Sequence, residues 1–502
     1  MNKKIIYLDY AATTPPAPEV VEQMTLGLSQ IWGNASSEHI LGHAAHRHID
    51  EALSVVAKFL NVEQSTLTLT SGATESINLA LKGVMRAQRK KHIIAITTEH
   101  KATLNTVQAL VKEGYQATFL APNEAGQITK EMVEAAIHEE TAIITSLWVN
   151  NETGEIYDIE GFSEVARRHK VLLHVDATQA MPHFKPDFSW VDLASFTAHK
   201  IYGPKGIGVL YQRDFPKIPM VAVIDGAKTE LGHHVGTLAN HQIMGLARAV
   251  QLLPGHYATE HQHSEQRLAA LLDHLAPYGV TRNGKEAKLT PAIINLHVPN
   301  IYGETLMAAV SQLCFSRGSA CNSDETLPSH VLTELGYDTK HARESVRISL
   351  GRYLLAFDFQ RALNDLGTAI AQLQHIAKGE RCATVLPVVH QKGSDIHLKL
   401  LHPQDFTPTH SFDLDRNDVV IGLDLKHDGA KVTHLSIKLQ ATPFILWFMN
   451  EAAAHLRGND VSAWENFRMT DVMETKNAPQ NELRLVMVIE TFIRESGQSL
   501  SA

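Results

Sequence analysis

The alternation of strand-like and helical segments between Thr66 and Leu210 most constrains the fold of this chain. Short apolar runs rich in β-branched residues predict strands at Thr66–Thr70, His92–Thr97, Ala142–Val149, Val171–Val175, Val191–Phe196 and Ile207–Tyr211. Patterns of helical spacing lie between them, at Glu75–Arg86, Ala102–Lys112, Lys130–His138 and Ile159–Arg168. This alternation predicts an α/β layer with a mostly parallel sheet. In such sheets, ligands bind beyond the carboxyl ends of the strands.

The segments on either side of this layer follow other patterns. A strand at Ile5–Leu8 and a helix at Leu41–Leu60 precede it. After a helical stretch at 242–263, we predict a smaller α+β unit with a strand at 289–298, a helix at 305–314 and a buried strand within 344–354. The predicted division is a large domain at 15–263, a small domain formed by 1–14 and 264–376, and a linker at 377–390.

Residues 391–502 are predicted to form a separate C-terminal α+β domain. Two alternating runs, 419–426 and 431–439, flank an Asp-Gly pair and predict a β-hairpin. Thr442-Pro443 is a typical helix start, and 481–494 predicts a final helix.

Composition excludes several classes of protein. At 502 residues the chain is too long for one compact core. A net charge of −9 argues against nucleic-acid binding, and no apolar run approaches the roughly 20 residues of a membrane span. Three cysteines cannot form a disulfide framework, which favours a reducing, cytoplasmic location. The 29 histidines are scattered without a repeated ligand spacing, so no metal site is predicted.

Lys200 is the first candidate catalytic residue. It follows the apolar run 191–196 and a Thr-Ala-His segment, and a Gly-Pro turn comes directly after it. Nearby cations would lower the pKa of such an amine, which suits a lysine that forms a Schiff base with a carbonyl group. Taken alone, a lysine in such a segment is more often a solvated loop residue. Other polar residues at the predicted strand ends favour the Schiff-base interpretation.

Three of these strand ends suggest a bound phosphorylated ring. The turn 70–75 leads into a helix whose first amides could hold a phosphate, although Thr74 could simply cap that helix. Asp176 ends a buried strand and could pair with a protonated pyridine nitrogen. His100 ends another strand and could stack on the ring or move protons, or it could be a structural histidine.

The remaining candidates would contact the hydroxyl group of the ring, bind the substrate or supply a reactive thiol. Asn151 supplies an amide at a further strand end. Arg347 lies on an apolar strand, where its planar guanidinium predicts an anionic partner such as a carboxylate. Cys314 has apolar neighbours and fits an inert, buried thiol, whereas Cys321 has small polar neighbours that suit a reactive thiolate on a loop.

Together these motifs resemble the cysteine desulfurases, a pyridoxal-phosphate-dependent branch of the class V aminotransferases. The resemblance covers about residues 3–376 and rests on the segments 8–14, 71–76, 98–101, 149–154, 174–179, 195–202 and 318–321. It implies a large pyridoxal-phosphate-dependent transferase domain of the aspartate aminotransferase type with a mostly parallel sheet, a smaller α+β domain and, here, a C-terminal α+β appendage. It also implies a homodimer that converts L-cysteine to L-alanine and hands sulfur to an acceptor protein, as in iron–sulfur cluster assembly.

The resemblance further implies a role for each matching residue. Lys200 would bind the cofactor covalently, His100 would stack on it and act as acid and base, and Cys321 would carry the persulfide. The other expected cofactor contacts are Ala73, Thr74, Asn151, Asp176, Gln179, Thr197, His199 and, towards the partner subunit, Thr237. Asn34 and Arg347 would bind the substrate carboxylate. The stretch around Cys321 resembles the subgroup with a long, flexible catalytic loop.

The chain also departs from the family pattern. The Gly-rich stretch and the arginine that the family has before Gly236, the arginine two places before it, are absent. Their absence puts in doubt the expected contact between Thr237 and the phosphate of the partner subunit. Ala35 stands where the family usually has a proline. The C-terminal domain faintly resembles the scaffold protein on which iron–sulfur clusters are built, but no cysteine follows Cys382. It is therefore either a degenerate scaffold-like module or an unrelated appendage.

Three other functions remain open at this stage. A selenocysteine lyase or a cysteine sulfinate desulfinase would have the same fold. A pseudo-enzyme that docks partners through its C-terminal domain would retain the fold without the chemistry.

Overall fold

A computed structural model describes residues 4–226, 233, 235–317 and 328–377 of the chain, together with three strands between residues 410 and 440. Its strands are β1 (Ile6–Tyr7), β2 (Leu67–Thr70), β3 (His92–Ile96), β4 (Gln116–Leu120), β5 (Thr141–Leu147), β6 (Leu172–Asp176), β7 (Leu193–Thr197), β8 (Gly208–Gln212), β9 (Thr281–Arg282), β10 (Ile293–His297), β11 (Leu313–Cys314), β12 (Ser345–Ser349), β13 (His410–Asp413), β14 (Val420–His427) and β15 (Val432–Gln440).

The described residues also form twelve α-helices. They are α1 (Pro18–Ser29), α2 (Ile40–Leu60), α3 (Ala73–Ala87), α4 (Lys101–Lys112), α5 (Lys130–Ala136), α6 (Ile159–His169), α7 (Asn240–Leu252), α8 (Tyr257–Leu275), α9 (Gly303–Ala309), α10 (His330–Glu334), α11 (Thr339–Arg343) and α12 (Ala356–Ala377). None of the helices in the described ranges is long and apolar enough to cross a membrane.

A seven-stranded sheet in the order β2-β8-β7-β6-β5-β3-β4 forms the centre of the large layer. Strands β4, β3, β5, β6 and β7 are parallel, and β8 is antiparallel to both of its neighbours. Because β8 is antiparallel to both β2 and β7, those two strands run in the same direction. The mostly parallel sheet predicted from the sequence is confirmed, and the carboxyl ends of these strands lie at one edge.

The sheet is buried on both faces, as apolar parallel strands require. Along β3, Ile93 and Ala95 pack into a cluster with α3 and α4, whereas Ile94 and Ile96 pack into the cluster that includes α2, α6 and α7. Successive side chains of a strand point to opposite faces, so one apolar run supplies both cores. This covering of both faces makes the carboxyl edge the part of the sheet that is open to ligands.

A smaller sheet in the order β12-β10-β9 is antiparallel throughout. The first strand of the chain belongs to this region, since β1 pairs in parallel with β11 and Asp9 bridges to Ser349 of β12. These long-range pairs bring residues 8–14 against both the small sheet and the edge of the large one.

Three sequence predictions differ from the structure in detail. The helix predicted at 305–314 is wrong at its end, because α9 stops at Ala309 and residues 313–314 form β11 against β1. The single helical stretch at 242–263 is interrupted after Leu252 by a short 3₁₀ turn that contains Pro254, which cannot donate to the preceding turn. Strand β4 was not predicted, because as an edge strand it is only partly buried and its apolar signal is weak.

The predicted C-terminal hairpin is confirmed: β14 and β15 pair antiparallel, and β13 adds to β14. The two helices predicted after Thr442 and at 481–494, like the linker at 377–390 apart from the last residue of α12, lie outside the described residues.

Candidate active site

A cavity of about 560 Å³ opens at the carboxyl edge of the large sheet. Loops that follow β2, β3, β5, β6 and β7 form its walls. Ten of the residues singled out from the sequence line it: Ala73, Thr74, His100, Asn151, Asp176, Gln179, Thr197, His199, Lys200 and Arg347. The structure therefore brings most of the predicted site together in one place.

Lys200 stands on the 3₁₀ turn Ala198–Lys200 that follows β7. Its Nζ donates hydrogen bonds to the carbonyl oxygens of Ala11 at 2.5 Å and Ala12 at 2.7 Å. The Ala11 carbonyl also accepts a hydrogen bond from Gln179 Nε2 at 2.8 Å. The N-terminal segment thus holds the amine at the cavity wall.

The first turn of α3 offers backbone amides to the cavity. Its N-cap is Gly72, which provides no side-chain cap, and the amides of Ala73 and Thr74 have no earlier helical carbonyl to bond to. A Cβ on Gly208 of β8 would lie only 2.7 Å from the Cα of Gly72. The close approach of two glycine backbones therefore sets the position of this anion-binding turn.

His100 and Asp176 end the neighbouring strands β3 and β6. His100 caps α4, since its Nδ1 accepts a hydrogen bond from the amide of Ala102 at 3.1 Å. Asp176 Oδ1 accepts from the amide of Thr178 at 2.9 Å. Burial lowers the pKa of His100; the Asp176 carboxylate opposes this shift and Lys200 reinforces it. His100 is thus favoured in its neutral form, with a hydrogen on Nε2.

Glu99 lies beside these groups and was not predicted. It is completely buried. Burial raises its pKa well above the ordinary range, and the charge of Asp176 adds to the increase. Burial therefore favours the protonated form of Glu99, while the neighbouring Asp176 lines the cavity.

His199 and Thr197 belong to the wall between β7 and α3. His199 Nδ1 lies 3.1 Å from Thr13 Oγ1, and Thr197 Oγ1 donates to the carbonyl of Ile207 at 3.0 Å. Burial lowers the pKa of His199 to about 4, with further decreases from Lys200 and Lys205. These cations make this wall favourable for an anion.

Arg347 is 2% exposed and projects from β12 to the cavity. Its Nη2 pairs with Asp9 Oδ1 at 2.8 Å, and its Nη1 donates to the carbonyl of Asn151 at 2.7 Å. Its Nε and the Oδ1 of Asn151 are both buried without a partner among the described residues. Unsatisfied buried polar atoms of this kind favour a ligand that would bond to them.

Two predicted residues lie outside this cavity. Asn34 is exposed, and its Oδ1 accepts from the amide of Ser36 in a local turn. Thr237 is exposed as well and does not line the cavity of its own chain. Cys321 lies outside the described residues. Cys314, the thiol expected to be inert, is half-buried in β11, and burial and Asp9 raise its pKa.

Sequence reasoning missed a third cavity histidine, His330, as well as Glu99. His330 follows Pro328 and Ser329 and begins the short helix α10. The local pattern there is an ordinary serine N-cap, so no signal in the sequence distinguished this histidine from the others. Within the described residues, no group of three or more His, Cys, Asp or Glu side chains is arranged to hold a metal ion.

Comparison with known proteins agrees with this site. Residues 6–361 match the family model "Aminotransferase class-V". The chain is 40% identical over 380 residues to the cysteine desulfurase IscS of Shewanella loihica, an alignment that covers 74% of this chain and 94% of the relative. It is also 40% identical over 378 residues to IscS of Methylococcus capsulatus, with the same coverage of both chains.

Solved structures of similar fold support the same family. A NifS-like protein superposes with a TM-score of 0.68 at 31% identity, covering 73% of this chain and all of the other. A structure described as SspA in complex with cysteine superposes with a TM-score of 0.63 at 35% identity, covering 70% of this chain and all of that protein. The chain therefore belongs to the class V aminotransferases, a pyridoxal-phosphate-dependent family, and within it is a cysteine desulfurase related to IscS.

Proposed function

We propose that the cavity binds pyridoxal phosphate at Lys200 and converts L-cysteine to L-alanine, with the sulfur passing to Cys321 as a persulfide. The observation that supports this most is the convergence of Lys200, Asp176 and the open turn of α3 on one cavity of about 560 Å³. That volume is in the range of ordinary cofactor sites, roughly 300–1,000 Å³.

The residues present fit this cofactor. The amides of Ala73 and Thr74, with the side chains of Thr74, Thr197 and His199, would hold its phosphate at the helix terminus. Asp176 would pair with the pyridine nitrogen. The unpartnered Oδ1 of Asn151 and the amide of Gln179 would meet the ring hydroxyl region.

When bound, pyridoxal phosphate supplies an electron-withdrawing ring that stabilises negative charge developing at the substrate Cα. The side chains supply the proton movements. Lys200 is positioned by the Ala11 and Ala12 carbonyls, and its amine can accept and return a proton at Cα. His100, whose neutral form is favoured by burial, has its hydrogen on Nε2 and can donate a hydrogen bond there.

Arg347 would bind the substrate carboxylate. Its guanidinium already lies at the cavity, held by Asp9 and the Asn151 carbonyl, and its Nε is unpartnered among the described residues. An amino-acid substrate is further supported by the SspA structure, which is described as containing cysteine. Asn34 lies outside the cavity, and its part in binding the substrate carboxylate stays a prediction.

Cys321 is within chain reach of this site. Ser316 pairs with Arg347 through both backbone hydrogen bonds, and His330 lines the cavity wall. Cys321 is five residues beyond Ser316, and five extended residues span up to ~17 Å. In the transfer, the substrate C–S bond breaks, an S–S bond forms at Cys321, and the enzyme thiol's proton replaces sulfur on Cβ. No external oxidant is required.

Partner contacts form the rest of the proposal. We propose a homodimer in which exposed Thr237 reaches the phosphate bound by the other subunit, and an acceptor protein that removes the persulfide sulfur. The 15–263, 1–14 plus 264–376, and 391–502 divisions remain our proposed domains. The alignments with the two IscS relatives cover 94% of each relative but only 74% of this chain. This difference supports a separate role for the C-terminal domain as a docking or regulatory module.

The test compares two cysteine variants. Cys321→Ser should lower the rates of persulfide formation and of alanine release from L-cysteine by at least 100-fold, because the nucleophilic thiolate is lost. Cys314→Ser, which changes the half-buried thiol of β11, is the matched control and should keep most of the rate.

The measurements are alanine production, cyanide-releasable sulfur and the visible absorption of bound cofactor, with selenocysteine and cysteine sulfinate as competing substrates. Equal loss in both variants, or full activity of Cys321→Ser on L-cysteine, would contradict the proposal. Protein that stays colourless after addition of pyridoxal phosphate would contradict the cofactor assignment.

A further inference from the structure

His330 places a third imidazole, besides those of His100 and His199, at the cavity that Lys200 and Arg347 also line. Its Nε2 lies 3.0 Å from the backbone carbonyl oxygen of Glu99. A carbonyl oxygen can only accept, so the hydrogen of this bond is on Nε2. In the neutral ring, Nδ1 then has a lone pair and acts as an acceptor.

The Nδ1 atom of His330 is buried and has no hydrogen-bond partner among the described residues. His100 has the opposite arrangement: its Nδ1 accepts from Ala102, so its Nε2 carries the hydrogen. His100 and His330 are therefore held by backbone groups in opposite tautomers, one with a donor and one with an acceptor left over. Of these two histidines, only His100 was expected from the sequence.

Neighbouring contacts hold the His330 ring in position. Ser329 Oγ donates to a carboxylate oxygen of Glu152, a buried residue that follows β5. The same hydroxyl caps α10 by accepting from the amide of Leu332 at 3.2 Å. With the Nε2 bond to Glu99, these contacts tie α10 to the ends of both β3 and β5, so the Nδ1 acceptor is preorganised rather than free to turn.

We propose that His330 Nδ1 accepts a hydrogen bond from the sulfhydryl of the bound amino-acid substrate and so favours a thiol-bearing side chain. This inference rests on the proposed function. There, Arg347 takes the substrate carboxylate and Lys200 is on the side of its amino group, which leaves the sulfhydryl as the polar group without a partner. A buried acceptor left unmatched by an apolar side chain disfavours that side chain.

The experiment separates the thiol contact from general support of the fold. In a Cys321→Ser background, which should stop sulfur transfer, the dissociation constants of L-cysteine and L-alanine are measured on the cofactor-loaded full chain by absorption. His330→Gln keeps a donor where Nε2 meets the Glu99 carbonyl and removes the Nδ1 acceptor. His330→Asn instead places an amide oxygen near the Nδ1 position.

We expect His330→Gln to weaken L-cysteine binding by about 3- to 10-fold, the usual effect of one hydrogen bond, and to leave L-alanine binding unchanged. His330→Asn should recover part of the preference for L-cysteine. Equal weakening of both ligands in both variants, or no change in either, would overturn the inference while leaving the proposed function intact. If the parent protein binds neither ligand, the proposed function itself fails, and the inference with it.

Discussion

At the scale of single residues, the site depends on side chains that are fixed by partners far away in the chain. Lys200 bonds to the carbonyls of residues 11 and 12, and Arg347 pairs with Asp9. Both partners belong to the N-terminal segment that enters between the two sheets. A short polar stretch at the start of the chain therefore positions the proposed cofactor lysine and the proposed substrate anchor.

We predict that Asp9→Asn destabilises the protein by about 3 kcal/mol, because a buried guanidinium loses its counter-charge. Arg347 is 2% exposed, so water cannot compensate for the loss. The free energy of unfolding from urea titration measures the effect. Asp358→Asn is the control, since its partner Lys4 is 58% exposed and such a pair contributes less than about 1 kcal/mol. Equal effects of the two variants would refute this account of the Asp9 pair.

At the scale of elements, the approach of β8 to the turn before α3 determines the proposed phosphate site. Gly208 of β8 pairs with Thr197 of β7 and Thr70 of β2, so it lies between the two strands whose ends flank that turn. Any side chain at this position would meet the backbone of Gly72 on one side and the carbonyl of Phe196 on the other. The sheet register and the anion site are therefore coupled.

Gly208→Ala should displace the turn before α3, because its Cβ would lie 2.7 Å from Gly72 and 2.8 Å from the Phe196 oxygen. We expect a loss of stability of about 1–3 kcal/mol, typical of overpacking, together with weaker retention of the cofactor. Gly255→Ala, where no heavy atom lies within 4 Å of the added Cβ, should change neither. Thermal unfolding and cofactor content after dialysis provide the readouts; unaltered cofactor retention in Gly208→Ala would disprove the coupling.

At the scale of the whole molecule, several histidines are buried in their neutral form. His174 on β6 connects three strands, since its ring nitrogens lie 2.9 Å from Thr145 Oγ1 of β5 and 2.9 Å from Ser195 Oγ of β7. Burial lowers the pKa of His174 to about 3, and those of His92 and His183 to about 4. These values lie well below the 6.5 of an exposed histidine.

Acid should therefore unfold the protein through these residues. Since each folded pKa is lowered, the unfolded chain binds more protons below pH 6.5, and stability present above that pH is lost progressively towards pH 4. We expect His174→Gln, which cannot be protonated in this range, to reduce the fall in unfolding free energy between pH 6.5 and pH 4.5 by roughly 1–3 kcal/mol. The quantity compared between the two proteins is the slope of the unfolding free energy against pH, not the unfolding free energy at neutral pH. An unchanged slope would show that His174 does not titrate on unfolding.

The elements of the large layer could be predicted from the sequence because their signals are local. An apolar run such as 92–97 encodes a two-faced strand within a few residues, and polar residues at strand ends, such as Asp176 and His100, meet wherever parallel strands share an edge. Ten of the proposed site residues follow from this rule or from the family motifs. The proposed role of Cys321 rests on its neighbours in sequence, since this residue lies outside the described ranges.

Only the tertiary structure decided which distant groups pair. Asp9 and Arg347 are 338 residues apart, and His330 lines the same cavity as His100 although 230 positions separate them. Nothing in the local pattern of either pair specifies its partner, because such contacts exist only once the small sheet closes on the large one. The same holds for β11, where pairing with β1 overrode a helical pattern. Local periodicity determined the elements and the chemistry at their ends. The closure of long loops determined the burial of Glu99, the hydrogen bonds that hold Lys200 and the place of His330 at the cavity.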